Sequence, residues 1–312
     1  MASLSVILPV HNGRRYLAAA IASISGQWHR DFEFIIVDDG STDGSAGVID
    51  RAAANDARIR VIRRPNTGIV GALNDGLAAA TGEFIARMDG DDLAEPDRFA
   101  AQLAYLTARP DCVAVGSAVW FIDPAGAVLD LYSPPLGHAA IEEQLLCGNG
   151  GALIHPALLL RRSAILAAGG YRREYDRAED LDLFLRLTRQ GTLANLAAPL
   201  LRYRLHAAST NFVHREQQRT LSARLVAQAR AERGLPAGGV SVAPADLTPA
   251  ARHRGWVITA LRWGRRQTAI KHALLAVRAE PGAADSWRHL RYSLTAPQPA
   301  ASLAPSVDLS RP

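Results

Sequence analysis

Three short acidic runs hold the residues best suited to chemistry. Asp89-Gly90-Asp91-Asp92 follows the apolar segment Glu83 to Met88. Two carboxylates one residue apart, with glycine permitting a tight turn, can present oxygens to one hard cation. Mg2+ or Mn2+ held this way keeps its other positions for water and phosphate oxygens. In isolation such a pair reads as a solvated acidic turn, and its place at the end of a buried strand is what favours the metal. Asp38-Asp39-Gly40-Ser41-Thr42-Asp43-Gly44-Ser45 ends a second apolar run. It loosely imitates a calcium loop, but it follows a strand and carries Asp50 where that loop has glutamate. A nucleoside suits it better, since Asp accepts from base or ribose donors and the small residues after it let backbone approach. Glu179-Asp180 opens an amphipathic stretch. There the pair reads either as helix capping, because a helix N-terminus favours negative charge, or as a general base.

The elements that must position these runs are legible as strand–helix alternation. Apolar β-rich segments at 4–9, 32–37, 59–63 and 83–88 read as strands. Between them, 15–28, 43–54 and 68–80 carry helical spacing, the second capped by Ser41 or Thr42, and a further helix starts near Pro96. Short connections of this kind predict parallel βαβ units and an open α/β sheet. Ligands of such sheets bind beyond the carboxyl ends of the strands, which is where Pro9-Val10-His11-Asn12, Asp38-Asp39 and the Asp89 run fall. Carboxylates at neighbouring strand ends repel unless a cation or hydrogen-bond donors lie between them. Further on, 113–121 and 127–131 read as strands around an Asp123-Pro124-Ala125-Gly126 turn, 157–161 as a short strand, and 163–168 and 180–189 as helices. From 211 the texture is helical, at 211–233, 249–263, 265–279 and 283–294, and the Pro/Ala/Ser-rich stretch 296–312 reads as disordered. Trp28 and Trp120 read as core, and Trp256, Trp263 and Trp287 as the core of the helical region.

Composition bounds the rest. The chain has 312 residues, 48% hydrophobic and 21% charged, ordinary for a globular protein of one large or two small domains. Two cysteines, Cys112 and Cys147, cannot build a disulfide framework or a four-ligand zinc site. The opening MASLSVILPV lacks the regions of a signal peptide, and no stretch reaches the ~18 apolar residues of a membrane span. A cytoplasmic protein is expected. The net charge of +5 is concentrated late, with ten Lys and Arg against four Asp and Glu from position 245 onward. Such a tail reads as a solvated helical surface or as a contact for anionic lipid. Its arginines are dispersed and match no nucleic-acid motif, so no nucleic-acid partner is expected. His11-Asn12-Gly13-Arg14-Arg15 supplies no G-x-G-x-x-G, and the sole lysine, Lys271, lies far from any P-loop.

LSVILPVHNG, DFEFIIVDDGSTDGS, N.G...ALN.GL..A.GEFIARMDGDD...P.R, HP..LLRR, GGYR, RAEDLDLFLRL and PLLRYRLH occur in order over roughly residues 3–210. Together they resemble the family-2 glycosyltransferases of GT-A fold. The resemblance implies an open mixed sheet with a Rossmann-like nucleotide-binding half at 1–110, an acceptor-binding half at 111–210 and a helical appendage at 211–295. It implies an inverting enzyme that takes a nucleotide-sugar, UDP-linked by resemblance with dTDP and GDP left open, and passes the sugar to a glycan or lipid-linked acceptor in cell-surface polysaccharide assembly. An acceptor of the second kind would place the chain peripherally at the inner face of the membrane. Pro9, Val10, His11, Asn12, Asp39, Asn74, Met88, Asp89 and Gly90 match the nucleotide-sugar segments. Asp91 with Asp89 matches the ligands of Mn2+ or Mg2+, Asp180 the catalytic base with Glu179 beside it, and His155, Arg204 and His206 positions near the acceptor or diphosphate. Arg14 and Arg15 stand where an acidic residue is frequent, and Gly90 where alanine or serine is common. The alternative is an inactive nucleotide-sugar or glycan-binding module of the same fold, against which the intact Asp89, Asp91, Glu179 and Asp180 argue.

Overall fold

Val, Ile and Phe recur in the first four strands, and burial on both faces of the first, second and fourth selects a parallel sheet. In the computed structural model, which describes residues 3–206, 215–238 and 248–297, these are β1 (Leu4–Val10), β2 (Phe32–Asp39), β3 (Ile59–Arg64) and β4 (Phe84–Arg87). β1 lies between β2 and β4, and β3 flanks β2, all parallel. The register sets Val10 opposite Asp38 and Asp39 opposite Arg64, so the acidic end of β2 meets a cation on β3. Helices α1 (Arg14–Ser25), α2 (Ser45–Asn55) and α3 (Ile69–Ala79) connect them. α1 buries Leu17, Ala20, Ile21 and Ile24, one stripe at helical spacing. α3 lies so close to the sheet that a Cβ at Gly76 would come within 2.5 Å of Ile7 Cγ2.

The sheet then turns mixed, as expected. β5 (Leu93–Ala94), α4 (Arg98–Thr107), β6 (Cys112–Ile122), β7 (Val128–Tyr132), α5 (His138–Leu145), β8 (Leu159–Arg161), α6 (Arg162–Ala167), α7 (Glu179–Leu187) and β9 (Thr192–Arg204) follow. The strand order is β3-β2-β1-β4-β8-β6-β9-β5, with β7 paired to β6. β8 runs antiparallel to β4 and β6, and β5 antiparallel to β9. Pairing Leu93 with Arg202 carries the end of β9 beside the Asp89–Asp92 turn.

The described residues form two compact units, one of 3–119 with 132–238, the other of 120–131 with 248–297. Helix α8 (Arg215–Ala231) belongs to the first, where Leu225 and Ala229 join the core that holds Leu181 and Leu185 of α7. The second unit contains α9 (Pro249–Arg262), α10 (Arg266–Ala279) and α11 (Ala284–Thr295) with the hairpin tip between β6 and β7. Its hairpin is held by Asp123, buried and bonded to Lys271 Nζ and, at 3.1 Å, to His272 Nε2. Trp120 packs edge-on to Trp263, and Trp263 Nε1 donates to Asp130 at 2.7 Å.

Several local expectations need correction. α1 stops at Ser25, and Trp28 is 69% exposed instead of core. Trp287 is likewise 53% exposed. Neither Ser41 nor Thr42 caps α2; Gly44 takes a left-handed turn there, and Asp43 accepts from Ser45 N and Oγ. Positions 211–214 and 298–312 lie outside the described residues, while Ala296 is buried.

Candidate active site

The carboxyl ends of β1, β2 and β3 are stitched into one rim. Pro9 and Val10 are buried in β1, and His11 and Asn12 emerge from it exposed, Asn12 with φ of 53°. The carbonyl of Asp39 lies 2.9 Å from His11 Nδ1, and the Asn66 amide lies 3.1 Å from His11 Nε2. Asn12 Oδ1 accepts from Thr42 N at 2.8 Å. Asp39 is buried, takes N–H bonds from Thr67 and Gly68 at 3.1 and 3.0 Å, and pairs with Arg64 at 3.0 Å. Its neighbour Asp38 accepts from Ser41 N at 3.0 Å. Between them Gly40 adopts φ of 71°, where a Cβ would lie 2.7 Å from Asn66 N, a place only glycine fills without displacement. Arg64 and these oriented N–H groups offset the negative charge that Asp38 and Asp39 bring to the end of β2.

The second element is the acidic turn after β4. Its neighbour on one side is β1, because a Cβ at Gly90 would lie 3.9 Å from Val10. Met88 is fully buried beneath it. Asp89 pairs with Arg87, and Asp91 Oδ2 lies 2.8 Å from His206 Nε2. Arg204 donates its backbone N–H to Asp92 at 2.8 Å and its Nε to the Asp91 carbonyl at 2.7 Å, with its guanidinium 4.5 Å over the Tyr16 ring. The end of β9 therefore meets the turn, uniting Arg204 and His206 with Asp91. Asp89, Asp91 and Asp92 each offer an oxygen, all within 4.8 Å of one another. Asp92 Oδ2 is buried and lacks a hydrogen-bond partner among the described residues. A cluster of hard oxygens with one buried lone pair unspent fits a divalent cation of the Mg2+ or Mn2+ kind. Burial raises Asp92 well above the usual carboxylate range, with Asp91 and Asp89 adding to it. Below the turn, Arg98 is completely buried and bonds the carbonyls of Arg87 and Leu158 at 2.9 and 3.1 Å. Burial lowers its pKa to about 9, and the negative charge of Asp92 opposes that shift.

The third element is the start of α7. Asp182, one turn in, is buried between Arg172 and Arg186, and Arg186 also donates to the Gly170 carbonyl at 2.9 Å. These bonds fix the helix end that presents Glu179 and Asp180. Burial and the adjacent Asp180 push Glu179 up to about 8, and burial raises Asp180 as well. Opposing both is Arg87, itself buried, whose charge acts on Asp89, Glu179 and Asp180 together. Of these carboxylates Asp89 is paired directly with Arg87, and Glu179 and Asp180 lie within reach of its charge. The loop preceding α7 also nears the rim at the ends of β1 to β3, since a Cβ at Gly68 would lie 3.9 Å from Asp176.

His155 is buried against Tyr171 and Phe184, its Nε2 2.9 Å from the Tyr171 hydroxyl. Burial, with Arg87 nearby, lowers its pKa well below the usual value, so the ring is neutral. Asn74 spends its amide on Tyr171, donating to its carbonyl at 2.8 Å and accepting from its N–H at 3.0 Å. Arg87, Asp92, Arg64 and Arg98 were not singled out from the sequence. An arginine closing an otherwise apolar strand, and one in the first turn of a helix, were the signals available.

A family model described as Glycosyl transferase family 2 matches residues 5–166. An uncharacterised glycosyltransferase of Haemophilus influenzae is 30% identical over 227 residues, 69% of this chain and 69% of that protein. The O-antigen biosynthesis glycosyltransferase WbnJ of Escherichia coli is 31% identical over 211 residues, 66% of this chain and 81% of its own. Among solved structures, residues 1–349 of TarS from S. aureus in complex with UDP-GlcNAc superpose with a TM-score of 0.59 at 17% identity, covering 94% of this chain and 87% of that one. The fold is of the GT-A type.

Proposed function

The chain belongs to glycosyl transferase family 2, and from that membership we propose that it moves one sugar, with inversion, from a UDP-sugar to a hydroxyl of a glycan or lipid-linked acceptor during cell-surface polysaccharide assembly. The observation that carries this reading is the turn after β4, where Asp89, Asp91 and Asp92 bring oxygens within 4.8 Å of one another and Asp92 Oδ2 is buried without a hydrogen-bond partner among the described residues. Donor end and base end of a displacement reaction must lie about a sugar's width apart, and the charge of Arg87, which acts on both Asp89 and Asp180, supports that proximity.

His11, Asn12 and Asp39, with the backbone at Pro9 and Val10, line the base and ribose side, and Asp39 keeps the 66–68 loop in place. Met88 and Gly90 support the sugar side from beneath, and Asn74 holds the Tyr171 segment. Asp91 with Asp89 would hold Mn2+ or Mg2+, which supplies Lewis-acid stabilisation to the departing diphosphate. Arg204 and His206 stand beside that turn, where positive charge and N–H donors favour a diphosphate. Asp180 takes the acceptor hydroxyl's proton as the oxygen attacks the anomeric carbon and the bond to the diphosphate breaks. Glu179 stays protonated beside it and so adds no second negative charge. A lipid-linked acceptor would bring the chain to the inner face of the membrane.

Thermal-shift screening of nucleotide-sugars with Mn2+ tests the donor, because a ligand bound only by the native state must stabilise it. Transfer assays then test the base. Asp180→Asn should lower kcat by about 10²–10⁴-fold while leaving the donor-induced shift intact. An unchanged kcat removes Asp180 from the mechanism.

A further inference from the structure

Outside the site, the exposed face of α11 is the feature with most unspent chemistry. Trp287, Tyr292 and Leu294 are 53%, 49% and 54% exposed. Trp287, Arg291 and Leu294, at i, i+4 and i+7, share one strip of the helix, and Arg288 and Tyr292 lie on the strip beside it. Ser286 and Ser293 point the other way and are fully buried. A helix that buries serine and displays tryptophan and leucine has its apolar residues on the wrong side for a purely solvated surface. Trp287 is also held in place, its Nε1 donating to the Pro281 carbonyl at 2.8 Å. The helix is thus set with an amphipathic ring outward, beside arginines whose stems can lie along apolar surface while their heads stay in water.

We infer that the α11 face, Trp287, Arg288, Arg291, Tyr292 and Leu294, docks on an anionic lipid surface. It gives a location to the membrane contact proposed above and rests on that reading for its purpose. Charge selects this occupant. Residues 248–297 contain nine Lys and Arg against two Asp and Glu, so a second copy would present the same positive face and be repelled, whereas anionic headgroups attract it. Trp and Tyr beside Arg are the residue types that settle at a headgroup boundary.

Flotation of the full chain with phosphatidylcholine vesicles, with and without phosphatidylglycerol, tests this without donor, metal or acceptor. Failure therefore bears on the surface alone and leaves the transferase reading standing. The chain should float with the anionic vesicles and be released by high salt. Trp287→Ser with Leu294→Ser should reduce the bound fraction by roughly tenfold while the chain still melts cooperatively, with only the small shift that loss of the Trp287–Pro281 bond brings. Arg288→Gln with Arg291→Gln should abolish the preference for phosphatidylglycerol. Equal flotation with both lipids, or parental binding by the Trp287/Leu294 variant, overturns the proposal. So does self-association in sedimentation that this variant abolishes, which would give the face to a second copy.

Discussion

At the scale of single residues, the centre of this site is a cation that titrates nowhere near neutrality. Arg87 favours the ionised forms of the acids around it, against a burial that favours the protonated ones. In the proposed reaction Asp180 must be ionised to accept a proton, and its raised pKa predicts that activity falls as the medium becomes acidic, sooner than for an exposed aspartate. Arg87→Met should shift the acid limb of the kcat/KM profile to higher pH by one unit or more, on the order of the usual effect of a charge at close range. A limb that stays in place shows that Arg87 does not act on the base. Glu179 leaves a mark on stability. Its pKa in the fold, about 8, exceeds its ordinary 4.5, so the folded chain binds more protons than the unfolded one between those values. Unfolding free energy therefore falls as pH rises through that window. Glu179→Gln should flatten the slope by roughly 1 kcal/mol per pH unit, measured by denaturant titration at pH 6 and pH 9.

Among the elements, α7 carries the proposed base and α8 packs against α7. Arg233, just past α8, donates to the Leu185 carbonyl at 2.9 Å and to Thr188 Oγ1 at 2.7 Å, and pairs with Glu142 of α5 at 3.3 Å. Arg233→Met should lower stability by about 1–3 kcal/mol in denaturant melts with kcat unchanged; a loss of kcat without loss of stability would make it a residue of the reaction. The strands that carry the site were readable because β1, β2 and β4 are short, largely apolar runs followed by polar or acidic residues, whereas arginines interrupt β3. β9 escaped notice because Pro199 interrupts it and its middle, Ala197-Ala198, is exposed, so it has neither clean alternation nor a continuous apolar run. α5 escaped because only Ile141 and Leu145 mark its buried side. The cap of α2 was misread because a left-handed glycine and an Asp side chain do what a serine ordinarily does. Acidic motifs are visible in sequence; the buried arginines that make them tolerable depend on which strands and helices become neighbours.

Over the whole molecule, the residues of the site all fall within the first unit, and the second has its own core of Val257, Ala260, Ala269 and Ala273. There Asp123 plays the part of a latch, binding Lys271 and His272 along with the N–H groups of Ala125 and Ala127. Asp123→Asn should weaken the second unit by about 1–3 kcal/mol and leave donor-induced stabilisation untouched; a joint loss would mean that the latch serves both units. The lysine in that latch has a practical side. Apart from the chain's α-amino group, Lys271 is the sole primary amine in 312 residues, and the Asp123 carboxylate already occupies it. Amine-seeking dyes, crosslinkers and coupling resins therefore find one side-chain address, partly guarded, far along the sequence from every residue of the reaction. A fluorophore installed there would sit beside the single hairpin that Asp123 anchors, on a side chain 40% exposed.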